Sequence, residues 1–189
     1  MGKLIVTEFV SVDGVMDSPG GEPGYPHTGW TTWFPNDEGF GEFKSGEVFD
    51  AEVNLLGRVT YESFAGAWPD YEGPMADRMN SMPKYVVSTT LKDPEWTNSH
   101  VISEDVPAAI ARLKHDIAGD ILVAGSRTLV HTLYEHDLVD EYRLMVFPVI
   151  LGSGRRLFPD DVRAKRILEL VESRTIEGGV QIQTYRPMG

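Results

Sequence analysis

Three short stretches hold residues of the kind that grip anions. Gly57-Arg58-Val59-Thr60, Ser88-Thr89-Thr90 and Gly125-Ser126-Arg127-Thr128 each follow an apolar run and supply a glycine, hydroxyls or a guanidinium. The third is the fullest. Ile121-Leu122-Val123-Ala124 runs without polar interruption, as a strand buried on both faces does. Gly125 stops it, and Leu129, Val130 and Leu133 then lay down an apolar stripe at helical spacing. Strand, glycine turn and helix start aim free backbone N–H groups and the positive end of a helix dipole at one point. A phosphate is the natural occupant. Gly57 opens a second junction of this kind, with Arg58 beside it. Most strand–turn–helix junctions hold no ligand, so the weight rests on these stretches acting together.

Ligands in open α/β sheets sit at the carboxyl ends of strands. Three such ends together suit a dinucleotide. The pyrophosphate lies over the helix starting near Ser126, and Arg58, with Arg127, reaches a further phosphate by bidentate contact. The strand end at Ser88 carries hydroxyls in place of the carboxylate that accepts a free ribose 2′-hydroxyl. Hydroxyls plus a cation favour NADP(H) over NAD(H). The G-x-G-x-x-G fingerprint is absent after the first strand, and so is a Walker lysine motif.

Candidates for a proton-related or substrate-polar role are Asp13, Glu38 and Glu42. Asp13-Gly14 also reads as a plain turn. Trp30, Trp33 and Phe43 are flat rings suited to stacking on a heterocycle, although Phe43 reads more as core. The five histidines are scattered without ligand spacing, so no metal is expected.

The elements that must position these residues follow from periodicity. Strands are expected at residues 4–10, 53–56, 84–88, 100–102, 121–124 and 140–149, and a closing pair at 167–176 and 180–186 turns at Gly178-Gly179. Helices are expected at 37–49, after Gly57, around 75–82 and after Gly125. The clearest helix should be capped by Asp105, carry Pro107 in its first turn, set Val106, Ile110, Leu113 and Ile117 on one face, and stop at Gly119. Between Ser18 and Asn36 the density of proline and glycine argues against any regular element, yet the same loop carries Tyr25, Trp30, Trp33 and Phe34. Such a loop binds a ligand or caps the core. The order of elements predicts a mainly parallel sheet between helices, with an antiparallel edge added late.

At 189 residues the chain is expected to be one domain, 1–189, with a core large enough to do without disulfides; it contains no cysteine. A net charge of −12 argues against nucleic acid, because phosphate-backbone binders concentrate lysine and arginine on one face. No run approaches the roughly 18 apolar residues of a membrane span, and no leader is apparent, so the cytoplasm is the expected compartment.

Lys3 to Met16 with its Ser-Val-Asp-Gly-Val-Met ending, Gly57-Arg58-Val59-Thr60-Tyr61-Glu62, and Leu138-Val139-Asp140-Glu141 leading to Phe147-Pro148-Val149-Ile150-Leu151-Gly152-Ser153-Gly154 resemble one family. It is that of the riboflavin-biosynthesis pyrimidine reductase C-terminal domain (the RibD C-terminal domain), within the dihydrofolate reductase superfamily. The resemblance implies a dihydrofolate reductase-like three-layer α/β/α fold with a C-terminal antiparallel hairpin. It also implies an NADPH-dependent reductase acting on a small flat heterocyclic or carbonyl substrate.

By position, Gly57, Arg58 and Thr60 match the family's phosphate contacts, and Ser88 and Thr89 the surroundings of the adenosine ribose phosphate. Gly125, Ser126, Arg127 and Thr128 match the pyrophosphate turn. Val10, Val15 and Met16 fall near the nicotinamide, and Leu151 with the aromatic loop falls near the substrate. Ala124-Gly125 stands where dihydrofolate reductases have paired glycines, and the Ser18–Asn36 loop differs from the better-known branches. The alternatives are the riboflavin-pathway ribosylamino-pyrimidine reductase itself, which needs basic residues such as Arg155 and Arg156 near the 151–154 turn, and a non-catalytic NADPH-binding protein. Relatives are commonly dimers, so a homodimer built on the long strand and the terminal hairpin is a further expectation.

Overall fold

A computed structural model of the chain describes residues 2–158 and 165–188. The elements run β1 (Leu4–Ser11), α1 (Glu38–Asp50), β2 (Ala51–Gly57), α2 (Arg58–Ala65), α3 (Pro74–Ser81), β3 (Lys84–Val87), β4 (Ser99–Ile102), α4 (Val106–Asp116), β5 (Asp120–Ala124), α5 (Arg127–Glu135), β6 (Glu141–Phe147), β7 (Leu168–Thr175) and β8 (Gln181–Pro187). The strand order is β4-β3-β2-β5-β1-β6-β8-β7. β2 pairs in parallel with both β3 and β5, and β3 with β4. β8 pairs antiparallel with β6 and β7. This is the α/β architecture expected from alternating apolar runs and helical stripes, with the late antiparallel edge.

The chain divides into two compact units, Met1–Val6 with Lys44–Asp140 and Thr7–Phe43 with Glu141–Gly189. The first unit has its core in Leu56, Tyr61, Met79, Met82, Val86, Trp96 and Leu122. Beside that core the Lys84 side chain is wholly buried. Its ammonium donates to the carbonyls of Asn80 (2.9 Å), Met82 (2.8 Å) and Thr97 (3.0 Å), and lies 4.2 Å from the centre of the Trp96 ring. Each of its three donors has an acceptor, which is what makes a buried cation tolerable. Burial nevertheless pulls its pKa down to about 8.

The second unit is built on aromatic rings. Phe147 meets Phe9, Trp30 and Phe34 edge-on at centroid distances of 5.7, 5.3 and 5.3 Å. Edge-to-face contact is the favoured geometry for such rings. Val15, Tyr25, Met145, Leu151, Val180 and Ile182 complete the cluster.

Several local expectations are corrected. A turn of 3-10 helix, Trp30–Trp33, does form inside the breaker-rich loop. Burial of the Trp30 indole, whose N–H donates to the Asp17 carbonyl at 2.8 Å, anchors it. Asp105 is left-handed (φ 43°) and makes no side-chain cap to α4, while Pro107 does sit in the first turn. Gly119 is not the stop: α4 ends at Asp116, with Ile117 already extended, and the Gly119 amide donates to the Glu52 carboxylate. β6 ends at Phe147, since Pro148 has no N–H to continue a ladder. Among the described residues no helix is long and apolar enough to cross a membrane.

Candidate functional site

In the first unit the expected anion-binding tips belong to β3, β2 and β5, which are neighbours in the sheet. Two of them are joined directly. The Gly57 amide donates to Ser126 Oγ at 2.8 Å, and the Ser126 amide donates to Thr60 Oγ1 at 2.9 Å. The start of α2 and the start of α5 are therefore cross-linked by one hydroxyl from each side. Neither helix carries a side-chain cap at its N-terminus. The positive end of each helix dipole therefore lies at these tips, where an anion is favoured. Gly125 (φ +62°) approaches so closely that an added Cβ would stand 3.2 Å from Thr60 Cγ2 and Oγ1. Ser126 itself adopts φ 61° without a glycine's freedom, a conformation that its two cross-links hold in place.

The remaining residues of the first unit differ in availability. Arg58 is exposed and pairs with Glu62 one turn on, Nη1 lying 2.8 Å from both carboxylate oxygens. The Ser88 side chain is buried and its Oγ accepts the amides of Thr90 and Leu91, so this hydroxyl closes a turn. Thr89 and Thr128 are exposed, and Arg127 opens α5 half-buried.

In the second unit, Asp13 accepts the Ser11 hydroxyl at 2.6 Å and the amides of Leu151 (3.1 Å) and Gly152 (2.8 Å). Burial works against its charge, but these bonds outweigh it and hold the carboxyl below its ordinary 3.8. Glu38 and Glu42 are exposed on the first turns of α1. Val10, Val15 and Met16 are buried, and the amides of Val15 and Met16 donate to Ser11 Oγ and the Arg155 carbonyl. Trp30 is core. Trp33 is 58% exposed, and it is the loop tryptophan free to meet a ligand ring. Phe43 is half-buried against the ring cluster with the Arg174 guanidinium over it at 5.6 Å. Leu151 is buried in that cluster.

Sequence reasoning missed Asp17. Its carboxylate takes both the Nε (3.0 Å) and Nη2 (2.6 Å) of Arg155 as well as the Arg155 amide (3.2 Å). Tyr25, already noted among the rings of the loop, makes a contact the sequence does not announce: its hydroxyl donates to the Ser153 carbonyl at 2.6 Å. No local pattern signals contacts across so many residues. The Arg58–Glu62 pair, by contrast, is legible from its four-residue spacing.

The family model of the RibD C-terminal domain matches residues 2–182 of the chain. The uncharacterized protein YyaP of Bacillus subtilis (strain 168) is 29% identical over 183 residues, covering 94% of this chain and 91% of that protein. A Shewanella sp. PV-4 protein provisionally ascribed to riboflavin biosynthesis has a crystal structure that superposes with a TM-score of 0.77 at 21% identity, over 99% of both chains. Dihydrofolate reductase from Enterococcus faecalis, solved with NADP(H) and RAB-propyl, gives a TM-score of 0.58 at 16% identity, over 100% of this chain and 98% of that one. At such identities the two structures establish the fold alone.

Proposed function

Since this chain belongs to the RibD C-terminal domain family, we propose that it is an NADPH-dependent reductase of a small, flat heterocyclic or carbonyl substrate. One observation carries the reading: two uncapped helix starts, at Gly57 and Ser126, are fastened to each other at neighbouring strand tips. The residues suit a dinucleotide. The positive ends of the α2 and α5 dipoles, at Gly57 and Ser126, meet the charge of a pyrophosphate. Arg58 is the guanidinium for the additional phosphate of NADPH, exchanging Glu62 for it. Thr60, Thr89, Arg127 and Thr128 lie on the same three tips.

NADPH, when bound, supplies the hydride. The chain itself supplies binding, orientation and exclusion of water. Trp33 and Phe43 offer the aromatic surface that a flat substrate needs, with Leu151 buried in the ring cluster of the same unit. The exposed carboxylates Glu38 and Glu42 are the candidate proton carriers.

Fluorescence titration with NADPH and NADH tests the cofactor, and hydride transfer across a panel of pyrimidines, pterins and carbonyl compounds tests the reaction. The expected result is binding of NADPH well ahead of NADH, with turnover of at least one class. Absence of NADPH binding at millimolar levels would sink the reading. Binding without turnover of any class would favour the non-catalytic alternative. The ribosylamino-pyrimidine alternative calls for free basic groups near the 151–154 turn, and there the Arg155 guanidinium is already held by Asp17.

A further inference from the structure

The second unit contains a set of contacts that the cofactor reading does not use. Residues 151–155 form a turn whose groups are taken one after another by the segment 13–25. The amides of Leu151 and Gly152 go to Asp13. The carbonyl of Ser153 goes to Tyr25. Gly154 (φ +110°) lies so close to its neighbours that a Cβ would stand 2.8 Å from Val15 Cγ1 and 3.0 Å from the Tyr25 ring. The amide and guanidinium of Arg155 go to Asp17. Backbone pairs reinforce the seam: Met16 N–H to the Arg155 carbonyl, Leu157 N–H to the Gly14 carbonyl, and Val12 N–H to the Val149 carbonyl. The same Asp17 offers its own carbonyl to the Trp30 indole. The turn is thereby connected to the ring-bearing loop through Asp17 as well as through Tyr25.

The partners differ in exposure in a telling way. The Asp17 side chain is 11% exposed, whereas that of Arg155 is 64% exposed. Asp17 is a nearly buried carboxylate whose cation comes in from the solvent side. Burial raises its pKa, but Arg155 and the Ser18 hydroxyl outweigh that and keep it below its ordinary 3.8.

We propose that Asp13 and Asp17 are positioning residues that clamp the 151–155 turn to the loop bearing Trp30 and Trp33, so that the aromatic wall for the substrate is set before any ligand arrives. The functional consequence rests on the reductase reading; the clamp itself does not. Asp13 then acts through the turn it holds and does not touch the reacting atoms. The two carboxylates work as one unit, because loosening either end frees the residues between.

Residue-resolved hydrogen exchange on the full-length protein at neutral pH tests this, using Asp13→Asn, Asp17→Asn and Arg155→Gln. The last opens the same pair from its exposed side and so keeps the test available should a carboxylate variant fail to fold. Each variant is expected to accelerate exchange tenfold or more at the whole set, the amides of Leu151, Gly152 and Arg155 and the Trp30 indole, with the amides of β2 and β5 unchanged. Asp17→Glu should restore most of the protection. The idea is overturned if each variant affects only the N–H it bonds directly, or if exchange rises evenly through both units, which is what simple destabilisation does. In parallel, NADPH affinity of Asp17→Asn should equal that of the wild type, while KM for a substrate found by the panel rises tenfold. A wild type that binds no NADPH removes the reductase reading and leaves the exchange pattern to decide the clamp.

Discussion

Ser126 Oγ accepts the amide of Gly57 at 2.8 Å, across 69 residues of sequence. This bond makes one structure of two strand–glycine–helix junctions that the sequence presents separately. It also explains why a serine occupies a left-handed position where glycine would be less strained. The hydroxyl is needed there, and it is the structural link on which the proposed cofactor site depends.

Replacing Ser126 with alanine leaves the half-buried Gly57 amide without its acceptor. The expected cost is about 1–2 kcal/mol in urea unfolding, with weaker NADPH binding because the two helix starts lose their common fastening. A variant with wild-type stability and wild-type affinity would show that the link is incidental.

Arg58 and Glu62 make an exposed pair one helical turn apart, of a kind that contributes roughly 0.3–0.5 kcal/mol. Breaking it to bind a phosphate is therefore easy. Arg58→Ala is expected to weaken NADPH by about 1–3 kcal/mol and to leave NADH nearly unchanged. Glu62→Gln should act in the opposite sense, tightening NADPH by up to about twofold. Parallel titrations with the two cofactors check both, and equal effects on NADH would remove Arg58 from phosphate recognition.

Acid should loosen the second unit first. Asp13 and Asp17 are both held below their ordinary value in the folded chain. The unfolded chain therefore takes up protons first as pH falls. Their stabilising contribution is complete above about pH 4 and disappears as pH drops through their folded values. Urea midpoints measured from pH 6 to pH 2 should fall less steeply in Asp17→Asn than in the wild type.

Alkali should act on Lys84 in the reverse direction. Its folded pKa of about 8 lies below the ordinary 10.5, so between those values the unfolded chain holds the extra proton. Stability contributed by this residue consequently rises with pH across that window. Lys84→Met is expected to be less stable at neutral pH, since the carbonyls of Asn80, Met82 and Thr97 lose their donor. It should also lack roughly 1–3 kcal/mol of the wild type's gain between pH 8 and 10. Chemical denaturation of both proteins at the two pH values measures the difference.

What could be read from the chain by itself was whatever repeats over short distances. The apolar run at Ile121–Ala124, the glycine after it and the stripe of Leu129, Val130 and Leu133 identify β5, its turn and α5, because each signal lies within a few residues of the next. The Arg58–Glu62 spacing is of the same kind. The tertiary structure alone decided which of two loop tryptophans is core and which meets solvent, since Trp30 and Trp33 stand in one short helical turn and differ only in what packs on them. It also decided that Asp17 holds Arg155 and that Ser126 holds Gly57. Those contacts close distances of 138 and 69 residues. Contacts of that range obey no periodicity, because their partners are chosen by the path of the folded backbone.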